Sequence, residues 1–335
     1  MKIHYISCHS VLEYDEVSMF AELGYTVFSN GAYSDPRGHF TLPRPSIKGL
    51  EFYPKLFHEA VRTPKTNLTE KLIEPFDAVI IMHDPEVVLC NWNNIKHKKV
   101  IWRSIGQSTS GVEKKLERCR KEGLKIVRYS PKEKNIKNYI GEDTIIRFGK
   151  SKAEFANWHG KTDEAINFTQ SLKGRRDFVH YEEIYETLKA VGGLVYGTGN
   201  NDLGTMNGGE LPYKEFKKKL QEVRCFVYGG TYPAPYTLSL IEAMMTGLPI
   251  VTISKKLAHK HNFEKIDFFE ADEIVENGVS GFVCDSVDEM IKKTRDLMHS
   301  REKAKKMSEN ARSRAISLFE KEKIKKQWKD FLLML

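Results

Sequence analysis

The 335-residue sequence has few cysteines, no long apolar run and none of the common glycine-rich phosphate fingerprints. Its five cysteines are odd in number, scattered and without metal-ligand spacing, which argues against a disulfide framework and indicates a reducing, cytoplasmic compartment. Apolar runs such as 78–81 and 226–228 are too short to cross a bilayer. Residues 1–10 lack the apolar core of a signal peptide and predict a first strand instead.

Two nucleotide-binding signatures are also missing. No Gly-x-Gly-x-x-Gly follows the first predicted strand of either half, and no Walker-type loop is present. No Asp-x-Asp element stands at a predicted strand end, and we expect no bound cofactor. The sequence therefore argues against a dinucleotide-dependent oxidoreductase and against a P-loop enzyme.

Positive charge is concentrated in one stretch of the chain. The net charge is +8, and residues 96–150 hold sixteen Lys or Arg against six Asp or Glu. One interpretation is a solvated helical face. The other is a surface that meets an anion, either an acidic membrane leaflet, with a peripheral location, or a nucleic acid. Few aromatics accompany the charge, which gives weak support to a stacking platform for single strands.

Strands and helices alternate along the whole chain, which predicts α/β domains with parallel sheets covered by helices on both faces. The predicted strands cover residues 2–7, 25–29, 77–83, 98–104, 124–130, 144–149, 165–171, 193–199, 224–230, 248–254 and 280–285. The length fits two domains, which we place at 1–155 and 156–318. We expect a terminal helix at 319–335 to return to the first domain. Segment 30–50 is predicted to be an irregular loop.

Ligands of open α/β sheets bind at the carboxyl ends of the strands, where strand order reverses. Two doubly wound, Rossmann-like domains of this kind would face each other across a cleft, with the ligand between them. The loops that follow the predicted strands are therefore the candidate sites.

The most informative segment is YGGTYPAPYTLSLIEAMMTGLPIVT (228–252). Two glycines and two prolines form a turn after a strand, and a helix begins near Thr237. The free amides and the positive dipole end of such a helix favour an anion, and diphosphate is the obvious one. Glu242 lies more than one turn inside the helix, where its carboxylate can accept hydrogen bonds from a pair of sugar hydroxyls.

This segment resembles the donor-binding motif of the retaining family-4 glycosyltransferases, which are GT-B enzymes, with the pattern E-x-F-G-L-x-x-x-E-A-x-A-x-G-x-P-V. The resemblance makes Glu242 the glutamate that binds the nucleotide ribose. The motif's first glutamate, which contacts the transferred sugar, is replaced by Ala234. The turn amides are similar to those that hold the sugar and the phosphate. These donor-contact positions are Pro235, Tyr236, Thr237, Leu238 and Ser239.

Two further loops complete the predicted donor site. The turn SLKGRRD (171–177) is similar to the family's basic phosphate grip and offers Arg175 first, then Lys173 and Arg176. The family's usual Gly-Arg pair reads Thr169-Gln170 here. The loop 196–204 corresponds to the family's loop beside the nucleotide base, with glycines that permit close backbone approach to a ligand. Its candidate residues are Gly197, Thr198 and Gly199.

The first domain resembles the family in architecture only, and its polar residues are candidates for acceptor or cleft contacts. Its first predicted loop, 8–16, replaces the family's glycine-rich loop. The strand ending in His83-Asp84 resembles a histidine-containing strand end, whereas the following strand end, 103–111, has no histidine. The acceptor or cleft candidates are His9, Glu13, Asp15, His83, Asp84, Gln107 and Ser108.

The sequence thus predicts a retaining, metal-independent GT-B glycosyltransferase, a hexosyl- or pentosyltransferase that uses a UDP-sugar or, second, a GDP-sugar. Arg175 would stabilise the leaving group and Glu242 would orient the donor, with no general base assigned. The acceptor is a glycan, a lipid or a small molecule. Two alternatives remain: a DNA glycosyltransferase of the phage type that acts on modified bases, and a non-enzymatic nucleotide-sugar binder, which Ala234 favours.

Overall fold

A computed structural model describes residues 1–29, 33, 67–106, 108–261 and 267–335 of the chain. These residues divide into two compact units, Met1–Gly149 with Lys321–Leu335 and Lys150–Glu320. The predicted loop at 30–50 lies outside the described residues, apart from Tyr33. Each unit has its own parallel sheet, as the alternation of strands and helices predicts.

The first unit contains a six-stranded sheet. Its strands are β1 (Lys2–Ile6), β2 (Thr26–Phe28), β3 (Ala78–Met82), β4 (Lys99–Arg103), β5 (Lys125–Arg128) and β6 (Thr144–Ile145). The sheet order is β2-β1-β3-β4-β5-β6, and every adjacent pair is parallel. Strand β3 is buried along its whole length, as expected for a strand covered on both faces.

Helices cover this sheet. They are α1 (Ser10–Glu22), α2 (Glu70–Ile73), α3 (Pro85–Ile95), α4 (Ser110–Lys121) and the terminal α12 (Lys321–Met334). A core of apolar side chains on β3 to β5, α3 and α4 includes Trp92 and Trp102. Helix α12 packs on α1, where the rings of Phe20 and Trp328 meet edge to face at 5.2 Å between centroids. Lys325 of α12 also pairs with Glu22 at 3.1 Å.

The start of α1 differs from the sequence-based prediction. The apolar spacing predicts a helix at 16–24 after a loop at 8–16, but the helix begins at Ser10 and ends at Glu22. His9 caps it, since its Nδ1 accepts from the Leu12 amide at 3.4 Å. Glu13 and Glu16 are buried in the helix, so two acids occupy positions where the hydrophobic period requires apolar residues.

The second unit contains another six-stranded sheet, with order β12-β11-β10-β7-β8-β9 and parallel pairing throughout. Its strands are β7 (Thr162–Phe168), β8 (Leu194–Tyr196), β9 (Asn207–Gly209), β10 (Val223–Tyr228), β11 (Ile250–Ile253) and β12 (Gly281–Cys284). Its helices are α5 (Tyr181–Val191), α6 (Tyr213–Glu222), α7 (Leu238–Thr246), α8 (Lys255–Ala258), α9 (Ala271–Ile274), α10 (Val287–His299) and α11 (Arg301–Phe319). Strand β7 ends at Phe168, three residues before the predicted end.

Strand order in the second sheet reverses at β7. The chain runs from β7 to β8 and β9 on one side, then crosses to β10, β11 and β12 on the other. The carboxyl ends of β7, β8 and β10 are therefore neighbours at the switch point, where open α/β sheets bind ligands. Among the described residues, no helix combines the length and the apolar character needed to cross a membrane.

Candidate functional site

Three loops follow β7, β8 and β10 at the carboxyl edge of the second sheet, and backbone contacts hold them together. We call residues 169–180, 197–200 and 229–237 the three-loop cluster. The amide of Tyr232 donates to the carbonyl of Phe178 at 2.6 Å, and Val179 forms an antiparallel bridge with Thr231. The cluster therefore unites the basic turn and the proline-rich turn that the sequence predicted to share a ligand.

Asn200 joins the remaining loop to the cluster. Its side-chain oxygen accepts from the Leu172 amide at 2.8 Å, and its side-chain nitrogen donates to the Thr169 carbonyl at 2.7 Å. Gly197 has a φ of 130°, and a Cβ there would lie 3.0 Å from the Thr169 oxygen. The glycines predicted to admit a ligand thus also admit the neighbouring loop, as does Gly199, where a Cβ would lie 3.3 Å from Ser171.

Helix α7 begins in the cluster without a side-chain cap. Thr237 occupies the N-cap position, yet its hydroxyl makes no cap hydrogen bond to the helix. Its amide and its Oγ1 instead donate to the Tyr228 hydroxyl, at 3.0 and 3.2 Å. Burial raises the pKa of Tyr228 to about 12, so this phenol stays neutral. The amides at the start of α7 therefore lie in the three-loop cluster, at the helix end that carries the positive end of the dipole.

Arg175 is the candidate cation of the cluster. Its side chain is half-buried, and burial lowers the pKa of its guanidinium. In the described parts of the chain no carboxylate pairs with it. Its neighbour Arg176, by contrast, pairs with exposed Glu182 at 2.5 Å, and Lys173 is exposed. Arg175 thus carries a partly desolvated charge in the loop whose residues Phe178 and Val179 contact the turn that leads into α7.

The other residues of the proline-rich turn have distinct environments. Tyr236 is buried, with its ring 5.4 Å from that of Phe319, so it supports the turn from the core. The Pro235 carbonyl accepts from the Glu270 amide at 3.0 Å. Ser239 shares a 3.0 Å hydroxyl contact with Thr237, and Leu238 is half-buried. Of the predicted donor contacts in this turn, Thr237, Leu238 and Ser239 lie at the open helix end, whereas Tyr236 does not.

Ala234 lines a small cavity beside the turn, where the resemblance predicts a glutamate. The remaining lining residues are His180, Thr231, Tyr232, Ala258, His259, Phe268 and Phe269. Apolar and aromatic groups with two histidines therefore stand in place of a carboxylate.

Glu242 lies on α7 and is almost fully buried. Its Oε1 accepts from the Lys150 ammonium at 2.7 Å, and the two side chains are 7% and 3% exposed. Lys150 carries no motif and was missed by sequence reasoning, because its partner is ninety-two positions away. Glu242 thus belongs to a buried ion pair, which the sequence did not predict.

In the first unit, the candidates of the predicted first loop occupy helix α1 and its cap. His9 is the N-cap, Glu13 is fully buried and Asp15 is half-buried. The prediction that Glu13 and Asp15 stand on a loop after β1 is wrong, because the helix includes both. Only His9 remains outside the helix, at the end of the loop.

The strand end after β3 places His83 and Asp84 in different roles. His83 has a φ of 65°, its amide donates to the Arg103 carbonyl at 2.8 Å, and burial lowers its pKa. Asp84 caps α3, since its Oδ1 accepts from the Glu86 amide at 2.9 Å. Helix α3 begins directly after this cap at Pro85, a favoured first helical residue.

Ser108 is buried and touches Glu133 at 3.3 Å, whereas Gln107 lies outside the described residues. Glu133 also accepts from Ser104 at 2.8 Å and from the Tyr129 amide at 2.9 Å. Burial raises the pKa of Glu133. These contacts account for Ser108 as part of a buried polar network.

The basic stretch 96–150 is partly neutralised in the structure. Arg103, Arg128 and Lys150 are buried. The exposed or half-exposed cations with acidic partners are Lys96 and Arg118 with Glu122, Lys115 with Glu86, Lys121 with Glu117, and Arg120 and Lys125 with Asp143. Lys134 and Lys137 are exposed. The accessible positive charge is therefore smaller than the sequence count implies.

Solved structures with similar folds cover the whole chain. A sucrose-phosphate synthase from Thermosynechococcus elongatus aligns with 13% identity and a TM-score of 0.68, over 100% of this chain and 98% of that chain. HepE from Anabaena, in complex with UDP, aligns with 13% identity and a TM-score of 0.69, over 100% of both chains. Both are GT-B glycosyltransferases. This chain has the GT-B fold.

Another GT-B structure extends the comparison. An alpha-glucosyltransferase in complex with UDP-glucose and DNA containing an abasic site aligns with 11% identity and a TM-score of 0.62, over 99% of both chains. No protein-family model matches the sequence, and no curated protein does either. At these identities the comparisons confirm the predicted GT-B fold, and they leave the E-x7-E motif untested.

The GT-B second unit also contains supporting residues that the sequence did not single out. Asn200 follows the glycine turn as the first of two asparagines, a weak signal of a loop-closing amide. Tyr228 is the last residue of β10, and only its burial beneath Thr237 reveals its role. Among the described residues, no group of three or more His, Cys, Asp or Glu could hold a metal ion.

Proposed function

We propose that this chain is a glycosyltransferase that moves a sugar from a nucleotide-sugar donor, with the three-loop cluster as the donor site. The observation that carries the proposal is Arg175, a half-buried cation without a carboxylate partner in the described residues, in the same three-loop cluster as the uncapped start of α7. A diphosphate would supply the negative charge that both features lack.

The structural neighbours support a uridine nucleotide as the donor's leaving group. HepE has been solved with UDP and with UDP-glucose. We therefore place a UDP-sugar first and a GDP-sugar second. Lys173, Arg176 and the loop of Gly197, Thr198 and Gly199 would surround the rest of the nucleotide, and Glu242 would accept hydrogen bonds from the ribose hydroxyls.

The proposed reaction is a transfer with retention. The acceptor hydroxyl attacks the anomeric carbon on the leaving-group side while the bond from that carbon to the diphosphate oxygen breaks. The hydroxyl proton passes to the departing diphosphate, so the step requires no protein nucleophile. The amides of Leu238 and Ser239 and the Arg175 guanidinium stabilise the charge that develops on the diphosphate. Because the chain itself supplies this positive charge, the step requires no metal ion.

The test is donor binding and slow donor hydrolysis by the whole chain. We expect calorimetric titration to detect UDP binding. We also expect slow hydrolysis of UDP-glucose or another UDP-sugar, with UDP released at a lower rate than in transfer to an acceptor. Binding of neither UDP nor GDP would overturn the proposal. Binding without release from any donor would instead favour the inert nucleotide-sugar binder.

A second candidate is a transferase that acts on DNA. Two observations favour it: one structural neighbour was solved with DNA, and exposed Lys134 and Lys137 lie in the basic stretch. Affinity for duplex DNA should then fall steeply with salt, and replacing both lysines by alanine should reduce that salt dependence. Negligible DNA binding at low salt eliminates this candidate and leaves a glycan, lipid or small-molecule acceptor. His9, His83 and Asp84 are the proposed acceptor-side residues in either case.

A further inference from the structure

The Lys150–Glu242 ion pair is almost fully buried, with side chains 3% and 7% exposed, and the backbone holds it on both sides. Its Nζ–Oε1 distance is 2.7 Å. The Lys150 amide donates to the Phe319 carbonyl at 2.8 Å, and Lys150 forms a parallel bridge with Glu320. Glu242 lies within α7, whose regular backbone fixes its Cα. Both ends of the pair therefore start from rigid positions, so the carboxylate has a defined orientation.

Packing alone does not explain this pair. Removing two charges from water is costly, and apolar residues of similar volume often stabilise a protein as well or better. Glu242 is the only acid of α7. The other buried residues of this helix are Leu240, Ile241, Ala243, Met244, Met245 and Thr246, all of them uncharged. A carboxylate at this position therefore requires a reason beyond the stability of the helix.

The position of Glu242 relative to the helix start supplies that reason. It is the fifth residue of α7, so its Cα lies about 6 Å along the axis from that of Leu238. Helical side chains lean toward the N-terminus, which brings the carboxylate closer to the amides that would hold the diphosphate. The ribose follows the phosphates in a nucleotide, so its hydroxyls lie within reach of this carboxylate when the phosphates lie at the helix start.

Lys150 also removes an electrostatic obstacle. An uncompensated carboxylate this close to a diphosphate would repel it, and low local polarity would strengthen the repulsion. The ammonium of Lys150 offsets that charge and leaves the carboxylate as an acceptor of hydrogen bonds. Two adjacent hydroxyls are donors that match a carboxylate.

We propose that Lys150 is a positioning residue that orients the Glu242 carboxylate toward the two ribose hydroxyls of the donor nucleotide and thereby makes the site prefer ribonucleotides to 2′-deoxyribonucleotides. This inference rests on the proposed function, since it places a nucleotide at the start of α7. The preference for ribose is the property that a purely structural lysine would not control.

The experiment compares calorimetric affinities for UDP and 2′-deoxy-UDP. The wild type should prefer UDP by about 10- to 150-fold, the range for one lost hydrogen bond to a charged group. Lys150→Met should lower this ratio to about threefold or less, and Glu242→Gln should lower it as well. Lys150→Arg restores a cation and should retain most of the ratio. Lys303→Met is the matched control, because Lys303 pairs with Asp296 at the surface of the same unit.

Lys150→Met leaves Glu242 buried without its cation, so its fold is checked by circular dichroism. If it does not fold, Lys150→Gln keeps one hydrogen bond to the carboxylate and should give an intermediate ratio. A folded Lys150 variant without a cation that keeps the wild-type ratio overturns the inference. A wild type that binds both nucleotides equally also overturns it, whereas a wild type that binds neither overturns the proposed function.

Discussion

Replacing Arg175 by alanine removes a cation that has no acidic partner in the described residues. Burial lowers the pKa of the guanidinium, which means that the folded protein disfavours its charged form. Alanine at this position therefore breaks no ion pair. We expect the free energy of unfolding to change by less than about 1 kcal/mol, since the side chain is only half-buried.

The effect on ligand binding should be much larger. A guanidinium about 4 Å from a phosphate interacts with it by about 4 kcal/mol at an effective dielectric constant near 20. Lost hydrogen bonds to charged groups cost about 1.5–3 kcal/mol in measured cases. We use the measured range, which corresponds to an approximately 10- to 150-fold weaker affinity for UDP.

The assay is calorimetric titration of the wild type and the variant with UDP and with uridine. Arg175→Ala should weaken UDP by the factor above and leave uridine unchanged, because uridine carries no phosphate. Arg176→Ala is the comparison within the proposed donor site. Its side chain is exposed and already pairs with Glu182, so its loss should weaken UDP less than about threefold. Equal losses for UDP and uridine would refute the reasoning, as would a larger effect at Arg176 than at Arg175.

Two further predictions concern stability. Gly197→Ala should destabilise the second unit by about 1–3 kcal/mol in urea unfolding, because its Cβ would lie 3.0 Å from the Thr169 carbonyl oxygen. Gly192→Ala is the control: Gly192 has a φ of 68° and open space around it, so the substitution should cost only about 1 kcal/mol. Equal costs for the two variants would contradict the close approach at Gly197. Burial lowers the pKa of His4 from 6.5 to about 4, so the unfolded chain binds its proton first, and the stability present above pH 6.5 is lost as the pH falls toward 4. We expect a loss of about 2 kcal/mol between pH 7 and pH 5 that His4→Leu reduces, and an unchanged loss in that variant would assign it to other groups.

The architecture could be predicted because parallel strands buried on both faces appear in the sequence as continuous apolar runs. These runs alternate regularly with helical segments, which indicates parallel sheets covered by helices. The start of α7 and the position of Glu242 on it followed from the glycine–proline turn and the apolar run after it. The start of α1 could not be predicted in this way. Glu16 is buried there because it accepts from Tyr5 at 2.6 Å and from Arg103 at 2.9 Å, and these partners are distant in sequence.

The candidate site shows the same division between local and distant information. Arg175 and Thr237 each stand in a loop whose composition marks it as a turn. Lys150 carries no local signal, because its meaning depends on a carboxylate ninety-two positions later. Gly197 is a similar case. A glycine in a turn indicates a positive φ or a close approach by another group, but only the fold identifies that group as Thr169.

The bond between Tyr228 and Thr237 has a thermodynamic consequence for α7. A threonine at an N-cap stabilises a helix by about 0.5–2 kcal/mol when its hydroxyl accepts an amide of the first turn. Here that hydroxyl donates to the Tyr228 phenol and accepts no amide of the helix, so the free protein lacks this stabilisation. The first-turn amides of α7 therefore lack a side-chain cap in the free protein. A ligand that accepts hydrogen bonds can bind these amides without displacing such a cap.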